Sequence, residues 1–295
     1  MTTQTTMTST PDPSPADGLR AGLRAMWAAV APGWRTYADH VEEQGAPVTE
    51  AMIAAAAPQP GDRILELACG AGAVGLEAAP LVGPDGTVVL SDVVPEMTAI
   101  AAERARDRGV HNVTTKVLDL EAIDEPDSSY DVVLCRHGLM LVVDPAAAAA
   151  EIRRVLRPGG RAVVAVWGPR DRNPWLTELF EAVGAHLGAP VPPPGIPQPF
   201  SLDDAERLAS VLRDGGLADV RTSEVAVVMR SPSFDHWWEG RAALAGPLAK
   251  VLAGLPPATV GAMQDTARPR VAAYATPDGG YAIPGVNLLA TGRRD

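Results

Sequence analysis

Residues 65–75, LELACGAGAVG, admit two readings, and the choice between them sets the kind of ligand the fold is built around. Gly70, Gly72 and Gly75 spell G-x-G-x-x-G, and Asp92 follows about twenty residues after the first glycine, the spacing of a dinucleotide site. Glu66 argues the other way. In a dinucleotide fold the first strand enters the first glycine almost directly, whereas here ELAC intervenes and begins with an acid. A carboxylate at the carboxyl end of that strand repels a pyrophosphate and attracts an ammonium or sulfonium group. The glycines serve either ligand, because both must approach the backbone closely. The loop therefore suits a nucleoside with a positively charged appendage.

Composition narrows the field. The chain has 295 residues, 46% hydrophobic and 21% charged, enough for one large domain with a sizeable core. A formal net charge of −11, with only short basic pairs such as Arg153-Arg154 and Arg293-Arg294, disfavours nucleic acid as a partner. Cys69 and Cys135 are the only cysteines, so neither a disulfide framework nor a cysteine metal site is expected. There is no signal-like amino terminus and no apolar run of the roughly 18–20 residues a membrane span needs. A cytoplasmic protein without a membrane span is the expectation, with a homodimer left open.

From PGDRILELACG onward, short apolar strands alternate with helices, the signature of a parallel sheet. Strands are expected at Arg63–Leu67, Thr87–Ser91, Val113–Val117, Asp131–Cys135 and Arg161–Trp167. Their starts lie about 20 to 30 residues apart, room for one crossover each. Helices are expected at Gly72–Ala79, Pro95–Arg108 and Pro145–Leu156, the last stopped by Pro158 with a turn at Gly159-Gly160. Residues 1–17 are poor in apolar groups and read as a disordered tail. Residues 18–57 read as a helical cap broken at Pro32-Gly33 and Pro47. Beyond Trp167 come a helix at Pro174–Leu187, a proline-rich connector, a helix capped by Ser201 and a strand beginning DVRTSEV. A helical insertion at about 231–280 and a final strand, YAIPGVNLLATGRR, complete the 58–295 domain.

The stretches ILELACGAGAVG, VVLSDVVPEM, VLDLEAI, YDVVLCRHGLMLVVDP and EIRRVLRPGGRAVVAVWG, in this order, resemble the motifs of class I S-adenosylmethionine-dependent methyltransferases. The likeness is greatest to the ubiquinone/menaquinone and small-molecule natural-product branch. It covers residues 60–167 closely and the last two strands loosely. It implies an α/β fold, a doubly wound seven-stranded sheet of order 3-2-1-4-5-7-6 with the last strand antiparallel, and helical cap segments over the carboxyl edge. It also implies S-adenosylmethionine as cofactor and a small organic methyl acceptor as partner. In the family pattern Glu66, Ala68, Gly70 and Gly72 wall the methionine moiety, and Asp92 accepts both ribose hydroxyls. Val93 and Met97 lie against the adenine, Asp119 and Leu120 meet its polar edge, and Arg136 lines the cavity through its backbone. The glycine pattern also permits an NAD-dependent oxidoreductase, and the motifs equally permit a non-catalytic S-adenosylmethionine-binding protein.

Outside these motifs the chain offers weaker signals. Of six Trp, four Tyr and three Phe, only Tyr130 falls between residues 60 and 166. The rest flank the motif region, which suggests an apolar, aromatic acceptor pocket, with Trp34 or Tyr37 able to cover a sulfonium. His137, just past the fourth strand, and His236, beside Trp237-Trp238, are the candidate proton acceptors if a hydroxyl is methylated. Packing is the competing role for each. His40, His111 and His186 read as surface residues, and the two cysteines as buried thiols. The acidic run Asp124, Glu125 and Asp127 reads as a solvated loop, and no metal site is expected.

Overall fold

A computed structural model describes residues 14–295. Most of the expected tail lies outside the described residues, but its last part does not. Ser14 and Asp17 form a reciprocal capping box that starts helix α1 (Pro15–Thr36). α1 runs unbroken through Pro32, and α2 (Ala38–Ala56) runs through Pro47. The expected breaks at those prolines are absent; the chain turns instead at Tyr37. Both helices bury a stripe, Val30 and Ala31 in α1 and Val48, Met52 and Ala56 in α2. That packing offsets the cost of about 3 kcal/mol for an interior proline.

The sheet follows from apolar strands buried on both faces. β1 (Arg63–Leu67) is buried at every position but Arg63. It pairs in parallel with β2 (Thr87–Asp92), Ile64 opposite Val88, and with β4 (Tyr130–Arg136), Ile64 opposite Val132. β3 (Val113–Val117) forms one edge beside β2. β5 (Leu156–Trp167) pairs with β4, then β7 (Tyr281–Arg293) and β6 (Ala218–Ser231) follow, both pairings of β7 antiparallel. The order is β3-β2-β1-β4-β5-β7-β6, as the motifs implied. α3 (Ala73–Val82), α4 (Pro95–Asp107), α5 (Pro145–Val155), α6 (Pro174–Leu187) and α7 (Ala205–Asp214) accompany it.

Two local expectations are corrected. α5 ends at Val155, three residues before Pro158, because Leu156 already pairs with Tyr130 and the glycine turn is absorbed into β5. Asp204, not Ser201, caps α7, its carboxylate accepting from the Arg207 amide at 2.8 Å. The Ser201 hydroxyl accepts from the Gln198 amide instead. The 231–280 stretch holds α8 (Phe234–Leu244), α9 (Pro247–Ala253) and α10 (Pro257–Val271). Among the described residues no helix is long and apolar enough to cross a membrane, and no His/Cys/Asp/Glu group could hold a metal. Cys69 and Cys135 are both buried and free, and burial pushes both thiols up, Cys135 to about 12.

Candidate active site

The carboxyl ends of β1 and β2 meet at the glycine loop. Ala68, Gly70 and Gly72 all take positive φ, folding the chain back tightly before α3. Gly75 is needed for a different reason. A Cβ there would lie 2.2 Å from Leu90 Cδ2 and 2.7 Å from Glu66 Oε2, so only hydrogen fits between α3 and the sheet. The buried Glu66 carboxylate accepts from the Gly75 amide at 2.8 Å, which ties the end of β1 to the first turn of α3. Burial pushes its pKa up to about 7, against the opposing pull of that amide and of Arg136.

Asp92 closes the other side. Its two oxygens accept from the Gly70 amide at 3.0 Å and the Val94 amide at 3.1 Å, which aims the carboxylate at the loop. Burial is again the dominant influence and pushes it up to about 6. Val93 and Met97 join Val94, Ile100 and Ala71 in an apolar cluster completed from α1 by Trp27, Ala31 and Trp34. A Cβ on Gly70 would stand 3.3 Å from the Trp34 ring, so the indole lies directly on the glycine turn. Its Nε1 is buried without a partner among the described residues. Beyond β3, Asp119 accepts from the Glu121 amide at 2.9 Å and from the Arg24 guanidinium of α1 at 3.3 Å, while Leu120 is buried. The Arg136 side chain turns away to Thr49 of α2, its Nη1 donating to Oγ1 at 2.8 Å, so only its backbone stays at the edge.

On the far side of β4, His137 holds a left-handed φ of 61°. Its amide donates to Ala165 O at 2.7 Å, and its ring stacks on Trp167 with centroids 4.0 Å apart. Nε2 donates to Asn287 Oδ1 at 2.6 Å, which leaves Nδ1 as the free lone pair. Loss of hydration, and next the Arg136 guanidinium, push its pKa down to about 3. His236 lies in the first turn of α8, its ring 4.9 Å from that of His40 and 6.0 Å from that of Tyr37. Trp237 and Trp238 are buried in the main core, and the Trp237 indole donates to Trp175 O at 3.0 Å.

A methyltransferase-domain family model matches residues 58–184. Nocamycin O-methyltransferase of Saccharothrix syringae is 33% identical over 201 residues, which cover 64% of this chain and 71% of that protein. The chain belongs to the class I S-adenosylmethionine-dependent methyltransferase family. The ubiquinone/menaquinone biosynthesis C-methyltransferase UbiE of Ectopseudomonas mendocina is 36% identical over 124 residues, 42% of this chain and 48% of that protein. The match thus spans about half the length of that relative. Among solved structures, the [4+2]-cyclase SpnF superposes with a TM-score of 0.54 at 21% identity, covering 96% of this chain and 97% of that one. Phosphoethanolamine N-methyltransferase 2 of Haemonchus contortus, in complex with S-adenosyl-L-methionine, gives 0.52 at 19% identity, covering 84% and 52%. These two similarities speak to the fold.

The fold brings Glu66, Ala68, Gly70, Gly72, Asp92, Val93 and Met97 together around one loop, with Trp34 over them. Asp119 and Leu120 stand at the next strand end, and His137 stands across β4. His236 sits apart from the loop, in the cap beside Tyr37. Asn287 and His40 at the same edge carried no motif. Trp167 pairs with Asn287 across β5 and β7, and Asn287 is fully buried in an otherwise apolar strand, which was its one visible signal. His40 is corrected from surface to half-buried: Arg241 Nη2 donates to its Nε2 at 3.2 Å. Only the packing of α2 against α8 brings those two residues together.

Proposed function

We propose that the protein transfers a methyl group from S-adenosylmethionine to oxygen or carbon of a small organic acceptor. The observation that carries this reading is Asp92, a carboxylate aimed by two backbone amides at a glycine turn that is roofed by Trp34. The residues fit the cofactor: a two-oxygen acceptor suits a ribose diol, the side-chain-free turn suits close approach, and the indole N–H is a donor in want of an acceptor. When bound, S-adenosylmethionine supplies a methyl group already made electrophilic by its sulfonium. Asp92 would hold the ribose, Val93 and Met97 the adenine face, and Asp119 with the Leu120 amide its polar edge. Glu66, Ala68, Gly70, Gly72 and the Arg136 backbone would enclose the methionine end. Trp34 would exclude water above, whereas Tyr37 packs beside His236 in the cap. The names of nocamycin O-methyltransferase and UbiE support a small-molecule acceptor in this family.

For the acceptor side, His137 with a pKa of about 3 fits a hydrogen-bond acceptor at Nδ1 better than a general base, which needs a pKa near the working pH. His236 is the remaining candidate base. A cavity of about 540 Å³ between the carboxyl end of β6 and the amino-terminal turns of α2 offers the acceptor room, and His40 and Tyr281 are the aromatic rings on its mostly polar wall. A second reading, cofactor binding without methyl transfer, is prompted by the name of a fold neighbour, a [4+2]-cyclase aligned over 96% of this chain at a TM-score of 0.54. Incubation with S-adenosylmethionine and a panel of phenols, quinones and aryl carboxylates, read as S-adenosylhomocysteine formed, separates the two. Calorimetric titration with S-adenosylhomocysteine and with NADH tests the shared premise. Tight NADH binding without S-adenosylhomocysteine binding would replace both readings with the oxidoreductase.

A further inference from the structure

We propose that Arg241, flanked by His40 and His236, is an oxyanion subsite, and that the methyl acceptor carries a carboxylate which this arginine holds. The inference names a substrate class and so rests on the methyl-transfer reading above. Arg241 lies in α8 and is only 8% exposed. Arg104 and Arg108 share Glu42, and Arg161 meets Asp62 at 2.8 Å, while Arg136, also without a salt bridge, donates to Thr49 Oγ1 and Gly45 O. Arg241 has no acid partner among the described residues. Burial alone sets its pKa, which falls to about 10, so the group remains a cation at neutral pH.

Its polar partner is neutral. The bond from Arg241 Nη2 uses the His40 Nε2 lone pair, which puts the imidazole proton on Nδ1. Burial, the arginine and His236 hold His40 down at about 4, so the ring neither adds nor cancels charge. Two further atoms of the Arg241–His40–His236 cluster lack partners. Arg241 Nε and His236 Nδ1 are both buried without a hydrogen-bond partner among the described residues. A buried charge with an unpartnered N–H and no counterion is disfavoured in a resting fold unless a ligand supplies the missing anion.

The position agrees with an acceptor site. Arg241 lies over the Trp175 ring at 5.1 Å, Trp175 packs on Trp167 at 4.6 Å, and Trp167 stacks on His137 at the end of β4. A continuous row of rings thus leads from the glycine-loop edge to the arginine. His40 also borders the 540 Å³ cavity, whose acids, Glu43 and Asp278, are exposed to solvent, whereas Arg241 is not. One guanidinium edge between flat rings matches a planar, singly charged carboxylate. A phosphate dianion calls for more positive charge than this cluster holds.

The test uses the full chain with S-adenosylhomocysteine present. Benzoate, 2-naphthoate and 3-phenylpropionate are titrated against their primary amides, by calorimetry and by tryptophan fluorescence, for which Trp175 is a local reporter. At least one acid is expected to bind about tenfold or more tightly than its amide. Arg241→Met should erase that preference and leave S-adenosylhomocysteine affinity intact, while Arg241→Lys, which keeps charge but not the fork, should retain part of it. Because the charge lacks a counterion, Arg241→Met should keep or raise the thermal midpoint; a purely structural arginine would lower it. The proposal is overturned if no acid outbinds its amide, if the preference survives in Arg241→Met, or if that variant melts markedly lower. Should S-adenosylhomocysteine fail to bind the wild type, the methyl-transfer reading falls, and the acid–amide titration without it still judges the arginine subsite.

Discussion

Glu66 is buried and Asp92 half-buried, and their carboxyls are pushed up to about 7 and about 6, so at neutral pH the ligand-free fold holds ionised or half-ionised carboxylates it would rather protonate. The sign follows from linkage. A raised carboxyl pKa gives stability that is present below the unfolded value and lost as pH rises through about 6 to 7. Glu66→Gln keeps an oxygen for the Gly75 amide but removes the titration, so it should stabilise the ligand-free protein at pH 8 by about 1–3 kcal/mol and not at pH 4. Denaturant melts at both pH values check this, and equal effects at both would refute it. A cationic ligand should pull both pKa values down, so cofactor binding at pH 6.5 should release roughly half to one proton. Calorimetric enthalpies that do not vary between phosphate and Tris buffers would contradict that. Asp92→Ala should weaken S-adenosylhomocysteine binding by about 1–3 kcal/mol, the scale of lost charge-assisted bonds, read by the same titration. His137, neutral above about 3, should contribute no limb to the kcat profile between pH 5 and 8. His137→Ala should cost about tenfold or less, well short of the roughly 10²–10⁴-fold expected of a lost base.

At the scale of elements, α1 lies over the loop. Its apolar stripe covers Val93, Val94 and Met97, and its basic side chains reach Glu121, Asp119 and Glu103. The two partly exposed pairs, Arg24–Asp119 and Arg35–Glu103, contribute about 0–1 kcal/mol each, and Arg20 adds a bond to the buried Glu121 carboxylate, so together they bias the helix toward closure. Because Arg24 occupies an oxygen of Asp119, a ligand at that carboxylate has to share or displace it. Amide exchange in α1 should therefore be faster than in α4 when the protein is ligand-free, and should slow on adding S-adenosylhomocysteine. Exchange in α1 that ignores the ligand would show that the helix is a fixed wall.

For the whole molecule, binding free energy adds to folding free energy. S-adenosylhomocysteine at about 100 times its Kd contributes about 2.7 kcal/mol, which raises Tm by roughly 5–10 °C in a domain of this size. NADH at the same concentration should leave Tm unchanged. A thermal melt in which NADH gives the larger shift would return the glycine loop to a dinucleotide.

The sheet was legible because its residues obey local rules. β1 and β3 fall where their apolar runs begin and end, and the 3-2-1-4-5-7-6 order came with the motif series. The cofactor class came with the motif series, and the acid Glu66 before the glycine turn added a charge-sign argument against a pyrophosphate. The continuity of α1 and α2 was not, because Pro32 and Pro47 are penalties that burial against other elements outweighs. Nor was the contact of Arg241 with His40, 201 residues apart in the chain. Local pattern determines which segments are strands and which loop meets a ligand, because periodicity and turn chemistry act over a few residues. The depressed pKa of His137, the closure of α1 and the unpaired Arg241 were decided by tertiary structure alone, because desolvation and counterion distance depend on what the rest of the chain brings alongside.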